Sequence, residues 1–396
     1  MPDARLKIAT AINKTTNIKH TIMRITLSCA ALSNRLITLS KVLNNKNSLQ
    51  ILDCILFEVN NGQLTLTASD KENEMTTTLQ LDEADSDGRF AISSKTIIDA
   101  VKDLPEQPVT MDVDLVSYTV SIQFQNGGYT FTAQNADEFP KAEAIKDTVS
   151  TIRIQSDILS DNISRTLFAT ANEVIRPVMN GIYFDLTPEW LAIVASDGHK
   201  LVRNKVFGIT SANPVSFILP KKPATLLKNV LPHDESEITI CFDERNAQIT
   251  FEGGTMICRL VEGKYPNYAS VIPTDNPRQL TIDRRSLLGT IRRILPFASE
   301  SSQMIKLRIA LGEVEASSED IDFSTSAKET IVCDYDGTPM SIGFKGPSLV
   351  EILNNLTSDE VRLELADPSR PCLIIPSEQP EKQDILMLIM PMLLND

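Results

Sequence analysis

Catalysis near neutral pH needs a titrating base, a nucleophile or a metal, and this sequence is sparing with all three. It has three histidines, His20, His199 and His233. Asp197 and His199 flank Gly198, an Asp-x-His pair in a glycine turn where a carboxylate would orient an imidazole as general base. No nucleophile or third partner accompanies the pair. His20 lies in an N-terminal stretch of unlike composition and His233 in a linker-like Pro-His-Asp run, and the sequence has no P-loop, G-x-G-x-x-G or H-E-x-x-H. The six cysteines, Cys29, Cys54, Cys241, Cys258, Cys333 and Cys372, are scattered, without a C-x-x-C pair or a histidine at ligand spacing. Neither a zinc site nor a disulfide framework is indicated, a reducing cytosol fits, and no cofactor or metal is expected. An enzyme built on Asp197 and His199 is therefore the weaker reading.

The elements that would carry any site repeat three times. At 396 residues the chain is long enough for two to four domains. Ser28 caps an amphipathic pattern with Leu32, Leu36, Leu39 and Leu43, and similar stretches start at Ser156 and Asp283, spacings of 128 and 127. A second short helix in each third is expected to end at Leu104, Leu231 and Leu356, spacings of 127 and 125, with Pro105 and Pro232 as stops. Six helices are predicted, over 28–43, 94–104, 156–171, 221–231, 283–297 and 345–356.

Between them apolar and polar residues alternate in short runs, as in Leu64, Leu66 and Ala68 after the hairpin signal Asn61-Gly62. Ala68-Ser69-Asp70 recurs as Ala195-Ser196-Asp197, and Ala316-Ser317-Ser318 is expected at the comparable place in the last third. The fold class is α+β: three repeated domains, each with two helices and antiparallel sheets, and each readable as a doubled half. Boundaries fall near residues 148 and 276, at Lys146-Asp147 and Pro273–Pro277, giving domains over 23–147, 148–275 and 276–396. Exposed sheet edges must be blocked or joined, and edges joined head to tail in series close a ring.

Residues 1–22 carry Arg5, Lys7, Lys14 and Lys19 against Asp3. They are expected to be an appendage, either translated from a start upstream of Met23 or a disordered basic tail. The run Ile385–Leu394 is about half the roughly 20 residues that span a bilayer and contains Pro391, so no membrane anchor is expected.

Net charge is −14, which by itself argues against tight wrapping of nucleic acid. The sign is segregated, however. The 81 residues of the six predicted helices hold 13 Lys+Arg and 6 Asp+Glu, a net of +7, so the other 315 residues carry −21. Helix surfaces are often charged, and lysines near C-termini complement the macrodipole. That account does not explain the excess of one sign. Basic helices lining a hole would attract phosphates without reading sequence, while an acidic body repels DNA elsewhere. A repeated-domain scaffold that never meets DNA is the reading this segregation disfavours.

The run Arg176–Leu201, with Asn180-Gly181 and Ala195-Ser196-Asp197-Gly198-His199-Lys200-Leu201, resembles the middle domain of bacterial DNA polymerase III beta subunits, the sliding clamps. Val261-Glu262-Gly263-Lys264-Tyr265-Pro266-Asn267-Tyr268 with Val271-Ile272-Pro273 is similar to the segment leading into that family's last domain. Met390-Pro391-Met392 is similar to its C-terminal signature, and Met23-Arg24-Ile25-Thr26-Leu27 to its N-terminus. The resemblance covers residues 23–396.

It implies a non-catalytic, cytoplasmic processivity subunit. The family is a head-to-tail homodimer of three-domain chains around double-stranded DNA. Its ring is loaded by a clamp loader and bound by the replicative polymerase alpha subunit and other proteins bearing a clamp-binding motif. It further implies a cleft for partner peptides at Met179, Ser196, Gly198, His199, Lys200, Leu201, Pro266, Val271, Met390, Pro391 and Met392, where methionine and proline suit an adaptable apolar trough. DNA-facing positions carried over are Lys46, Lys95, Arg176, Lys221 and Lys222; helix placement alone adds Lys102 and Arg284. Tyr129, Phe131 and Phe297 correspond to the dimer edge. Departures are Leu393, where many relatives have arginine, the extra Asn395-Asp396, and Pro177-Val178 in place of an aromatic pair.

Overall fold

The computed structural model describes residues 22–44, 47, 49–141, 145, 150–172 and 175–394. The chain divides into two compact units, Met1–Ala142 and Glu143–Asp396.

The first unit runs β1 (Ile22–Ser28), α1 (Cys29–Ser40), β2 (Cys54–Asn60), β3 (Gln63–Ser69), β4 (Asn73–Gln80), β5 (Glu83–Ala84), β6 (Gly88–Ser93), α2 (Ser94–Val101), β7 (Pro108–Asp114), β8 (Thr119–Phe124) and β9 (Gly127–Thr132). Its strands pair antiparallel in the orders β5-β1-β7-β8-β9 and β4-β3-β2-β6. α1 and α2 pack on each other. Leu32, Leu36 and Leu39 of α1 are fully buried, each contributing about 1.5–3 kcal/mol by leaving water. The helix stops at Ser40, so Val42 rather than Leu43 is buried at its end. Ser28 caps it as expected, accepting from the Ala31 amide at 3.1 Å. Asn61 and Gly62 both take positive φ, 50° and 75°, the backbone of a two-residue hairpin turn.

The second unit holds two further copies of the plan. The first is β10 (Ser150–Gln155), α3 (Ser156–Leu167), β11 (Gly181–Leu186), β12 (Trp190–Ser196), β13 (Lys200–Phe207), β14 (Val215–Pro220), α4 (Lys221–Val230), β15 (Glu237–Phe242), β16 (Asn246–Phe251) and β17 (Gly254–Arg259). The second is β18 (Arg278–Asp283), α5 (Arg284–Ile294), β19 (Met304–Ala310), β20 (Glu313–Asp320), β21 (Thr325–Val332), β22 (Met340–Lys345), α6 (Gly346–Asn354), β23 (Glu360–Leu365), β24 (Cys372–Pro376) and β25 (Gln383–Ile389). Each copy is a strand, a helix and three strands, taken twice, so each domain is a doubled half.

Within this unit β13 pairs antiparallel with β25, from Lys200↔Ile389 to Val206↔Gln383, so one sheet runs β14-β11-β12-β13-β25-β24-β23-β18 through two domains. Edge has been joined to edge, as the sequence requires. The last domain's other sheet, β21-β20-β19-β22, ends on β21.

Three local expectations shift. Ser156 is the first residue of α3 rather than its cap, because its hydroxyl donates to the Pro232 carbonyl at 2.6 Å. The second helix of each domain ends at Val101, Val230 and Asn354, short of the leucines where the apolar pattern stops. In the last domain the turn comes at Asp320, not Ser318: β20 stays paired with β21 to Asp320↔Thr325, and the Asp320 carboxylate accepts the Asp322 and Phe323 amides. At the amino end β1 starts at Ile22, one residue before the expected boundary, while residues 1–21, Lys46, 146–149 and Asn395-Asp396 lie outside the described residues.

Candidate functional site: an apolar cleft beside the β12–β13 turn

The Ser196–Lys200 turn is built by one carboxylate. Asp197 Oδ1 accepts the amides of His199 and Lys200, both at 2.9 Å, and Oδ2 accepts the Lys200 ammonium at 2.7 Å. Gly198 supplies the φ of 89° the turn requires, a region side chains avoid. Asp70 makes the same turn in the first unit, accepting the Glu72 and Asn73 amides, which is why the Ala-Ser-Asp triplet repeats. The Asp197 carboxylate is thus engaged by backbone and lysine and does not orient the His199 ring, which removes the basis of the acid–base reading.

Lys200 is 8% exposed, and its Nζ also meets Glu351 Oε2 of α6 at 3.2 Å. Burial alone would lower the ammonium's pKa; the bond to Asp197 and the charges of Asp197 and Glu351 outweigh it and hold it above the usual lysine value. Burial likewise works against Asp197, but the Lys200 bond and the two amides keep its carboxyl below the usual range.

Behind the turn, Leu201, Ala192, Val194, Ile218, Leu386 and Leu388 form an apolar bed from β12, β13, β14 and β25. The loop after β17 is fastened onto it by two tyrosines. Tyr265 stacks on Tyr183 at 4.6 Å and an interplanar angle of 2°, and Tyr268 donates its hydroxyl to Asp185 at 2.8 Å. Burial, then Asp185, push the Tyr268 hydroxyl's pKa up, so it stays a donor. A cleft of about 260 Å3 opens between this loop, the turn and the end of β25.

Nine of the residues expected to form a cleft line it: Met179, Ser196, Gly198, His199, Lys200, Leu201, Pro266, Val271 and Met390. Pro391 and Met392 do not. The chain turns away there, and the Met392 amide donates to the Gly343 carbonyl at 2.8 Å. Tyr265, Asn267, Tyr268 and Leu388 line the cleft without having been expected. Leu388 had a signal, standing in β25 two residues before Met390.

The basic positions divide. Arg176, expected to face DNA, lines the cleft, over Gly198. Arg284 is half-buried, and its guanidinium donates to the Ser358 carbonyl at 2.7 Å and the Leu353 carbonyl at 3.1 Å, tying α5 to the end of α6. Helix placement did not anticipate these partners, which arise because the first turn of α5 abuts the end of α6. Lys95 is exposed on α2, and Lys102 pairs with Asp99 at 2.6 Å. Lys221 and Lys222 open α4, Lys221 donating to Asn172 at 2.8 Å. Tyr129 lies on the edge strand β9 against Phe124, with Phe131 two residues on; Phe297, 41% exposed, follows α5. Among the described residues no group of His, Cys, Asp and Glu could hold a metal, and no helix is long and apolar enough to cross a membrane.

The N-terminal, central and C-terminal domain families of the DNA polymerase III beta subunit match residues 23–143, 153–267 and 269–393 in turn. The chain belongs to the DNA polymerase III beta subunit family. A curated relative of this beta-subunit family, the beta sliding clamp of Pseudomonas putida, is 26% identical over 371 residues, covering 93% of this chain and all of that protein. Two similar solved structures are sliding clamps bound to griselimycin. That of Pseudomonas aeruginosa has a TM-score of 0.88 at 25% identity, and that of Bartonella birtlesii 0.86 at 25%; each covers 94% of this chain and all of the other. The beta-subunit plan of three repeated domains is thus common to all of them.

Proposed function

We infer that this chain is a sliding clamp, a non-catalytic subunit that encircles duplex DNA and tethers the replicative polymerase. The observation that carries the reading is the threefold domain repeat matched end to end by one processivity family. Two copies would join head to tail, β9 of one to β21 of the other, with Tyr129, Phe131 and Phe297 at the seam. That adds strand to strand across edges that would otherwise stay open. Domains over 23–147, 148–275 and 276–396 would give six around the ring.

Lys95, Lys102, Lys221 and Lys222, with Lys46, supply diffuse positive charge to DNA; a lining without base readout permits sliding. The cleft at Met179, Gly198, Leu201, Pro266, Val271 and Met390 is the seat we assign to an apolar segment of the polymerase alpha subunit, of the clamp loader and of other partners, and to griselimycin. Sharing one seat makes them compete.

Retention on nicked circular DNA tests the ring. The complex should survive on the circle and vanish once it is linearised, and equal retention on both would remove topological binding. Light scattering should give twice the 43.8 kDa chain mass.

A further inference from the structure

The Ser196–Lys200 turn is a partition between two hollows. Ser196 and Gly198 face the cleft, Asp197 faces a second cavity of about 570 Å3 walled by α3, α4 and α6, and His199 and Lys200 border both. On the cleft side the turn, from the central domain, and Met390, from the last, are adjacent parts of the lining. The backbone joins them at few points. The β13–β25 ladder reaches its last rung at Lys200↔Ile389, and the Met390 amide adds one bond to the His199 carbonyl at 2.8 Å. Gly198 and His199 project beyond that rung.

Besides the bonds within the turn, that end is held through the Lys200 ammonium, buried and gripped from two domains: by Asp197 at 2.7 Å within the turn and by Glu351 at 3.2 Å from α6. Glu351 is half exposed, on the far side of the turn from the cleft, and lines the second cavity. It is not itself part of the cleft lining and reaches the cleft only through Lys200.

We propose that Glu351 is a positioning residue for the cleft, holding Lys200 and through it the Ser196–Lys200 turn in the shape that receives a partner peptide. The proposal rests on the reading of the cleft as the peptide seat. Without Glu351 the ammonium keeps Asp197 and the β13–β25 ladder keeps its rungs, so the turn itself survives, but the side-chain tie from Lys200 to the last domain is lost and the turn moves more freely against Met390. A tie between a buried cation and a half-exposed carboxylate is also open to screening by salt, which apolar contact with a ligand is not.

Fluorescein-labelled griselimycin, read by polarisation, is the probe, with wild type, Glu351→Gln and Glu351→Asp compared in the full dimer. Glu351→Gln should raise Kd about fivefold, the scale of a partly exposed ion pair. Amide exchange at His199 and Lys200 should rise by a similar factor while the melting temperature holds, and Glu351→Asp should recover part of both. Raising sodium chloride from about 0.05 to about 0.5 M should weaken wild type towards the variant and leave the variant flat. Unchanged Kd and exchange in Glu351→Gln would overturn the proposal, as would a loss of affinity matched by a general loss of thermal stability. If wild type fails to bind griselimycin, the peptide-seat reading falls instead, and the exchange measurement still decides whether Glu351 holds the turn.

Discussion

The guanidinium of Arg176 lies against Gly198, so close that a β-carbon there would stand 3.4 Å from Nη1 and 3.5 Å from Nη2. An arginine expected to meet DNA is thereby drawn to the rim of an apolar cleft, where its planar face covers a backbone that only glycine leaves bare. Arg176→Ala should therefore weaken griselimycin binding by about fivefold to tenfold, the loss of one packed polar contact. The salt slope of DNA retention should stay that of wild type. A changed slope with unchanged ligand affinity would return Arg176 to the DNA.

Gly198→Ala puts a side chain at φ 89° and under that guanidinium. The left-handed backbone costs about 1–2 kcal/mol, and the arginine must also shift. Urea unfolding should show the loss, with ligand affinity falling further than stability does.

Arg284 and Lys222 should separate structure from DNA contact. Arg284→Met leaves the carbonyls of Leu353 and Ser358 without their donor, a loss of about 1–3 kcal/mol in stability. Its salt slope for DNA retention should be that of wild type. Lys222→Met should do the reverse, reducing the slope by about one. Equal slopes for both variants would show that Lys222 does not neutralise phosphate.

The turn should be insensitive to pH through the neutral range. A carboxyl held low in the folded state adds stability above its unfolded value and loses it as pH falls through the folded one. A raised ammonium adds stability below its unfolded value and loses it as pH rises through the folded one. For Asp197, lowered from 3.8, and Lys200, raised from 10.5, both contributions are present in between. Griselimycin affinity should stay level between about pH 5 and pH 9. A step inside that window would overturn this account of the turn.

Tyr268→Phe removes the donor to Asp185 and should cost about 1 kcal/mol, raising exchange across Tyr265–Val271 and lowering ligand affinity, with the mass in solution unchanged.

Much of this was legible from spacing alone. Ser28, Leu32, Leu36 and Leu39 announce a helix, and the recurrence of Ala-Ser-Asp announces a turn, because both depend on residues within one element. The cleft residues came instead from family resemblance, and the structure brings nine of them together from five separated stretches of chain. Side-chain partners across elements were not legible. Nothing near Arg284 in the sequence says that Leu353 and Ser358 will present it with carbonyls, or that Lys200 will find Glu351. Nor does Met390-Pro391-Met392 show that its last residue bonds to Gly343, leaving the first alone at the cleft.

β25 lies in the interior of its sheet, between β13 and β24, yet it follows the other strands of that sheet in sequence and so leaves the ribosome after them. Until it emerges, β13 and β24 are two bare edges and one wall of the cleft is missing. A nascent or prematurely terminated chain would thus be exposed to strand-to-strand aggregation and unable to recruit a partner. Competence to bind thus waits on a single stretch of seven residues.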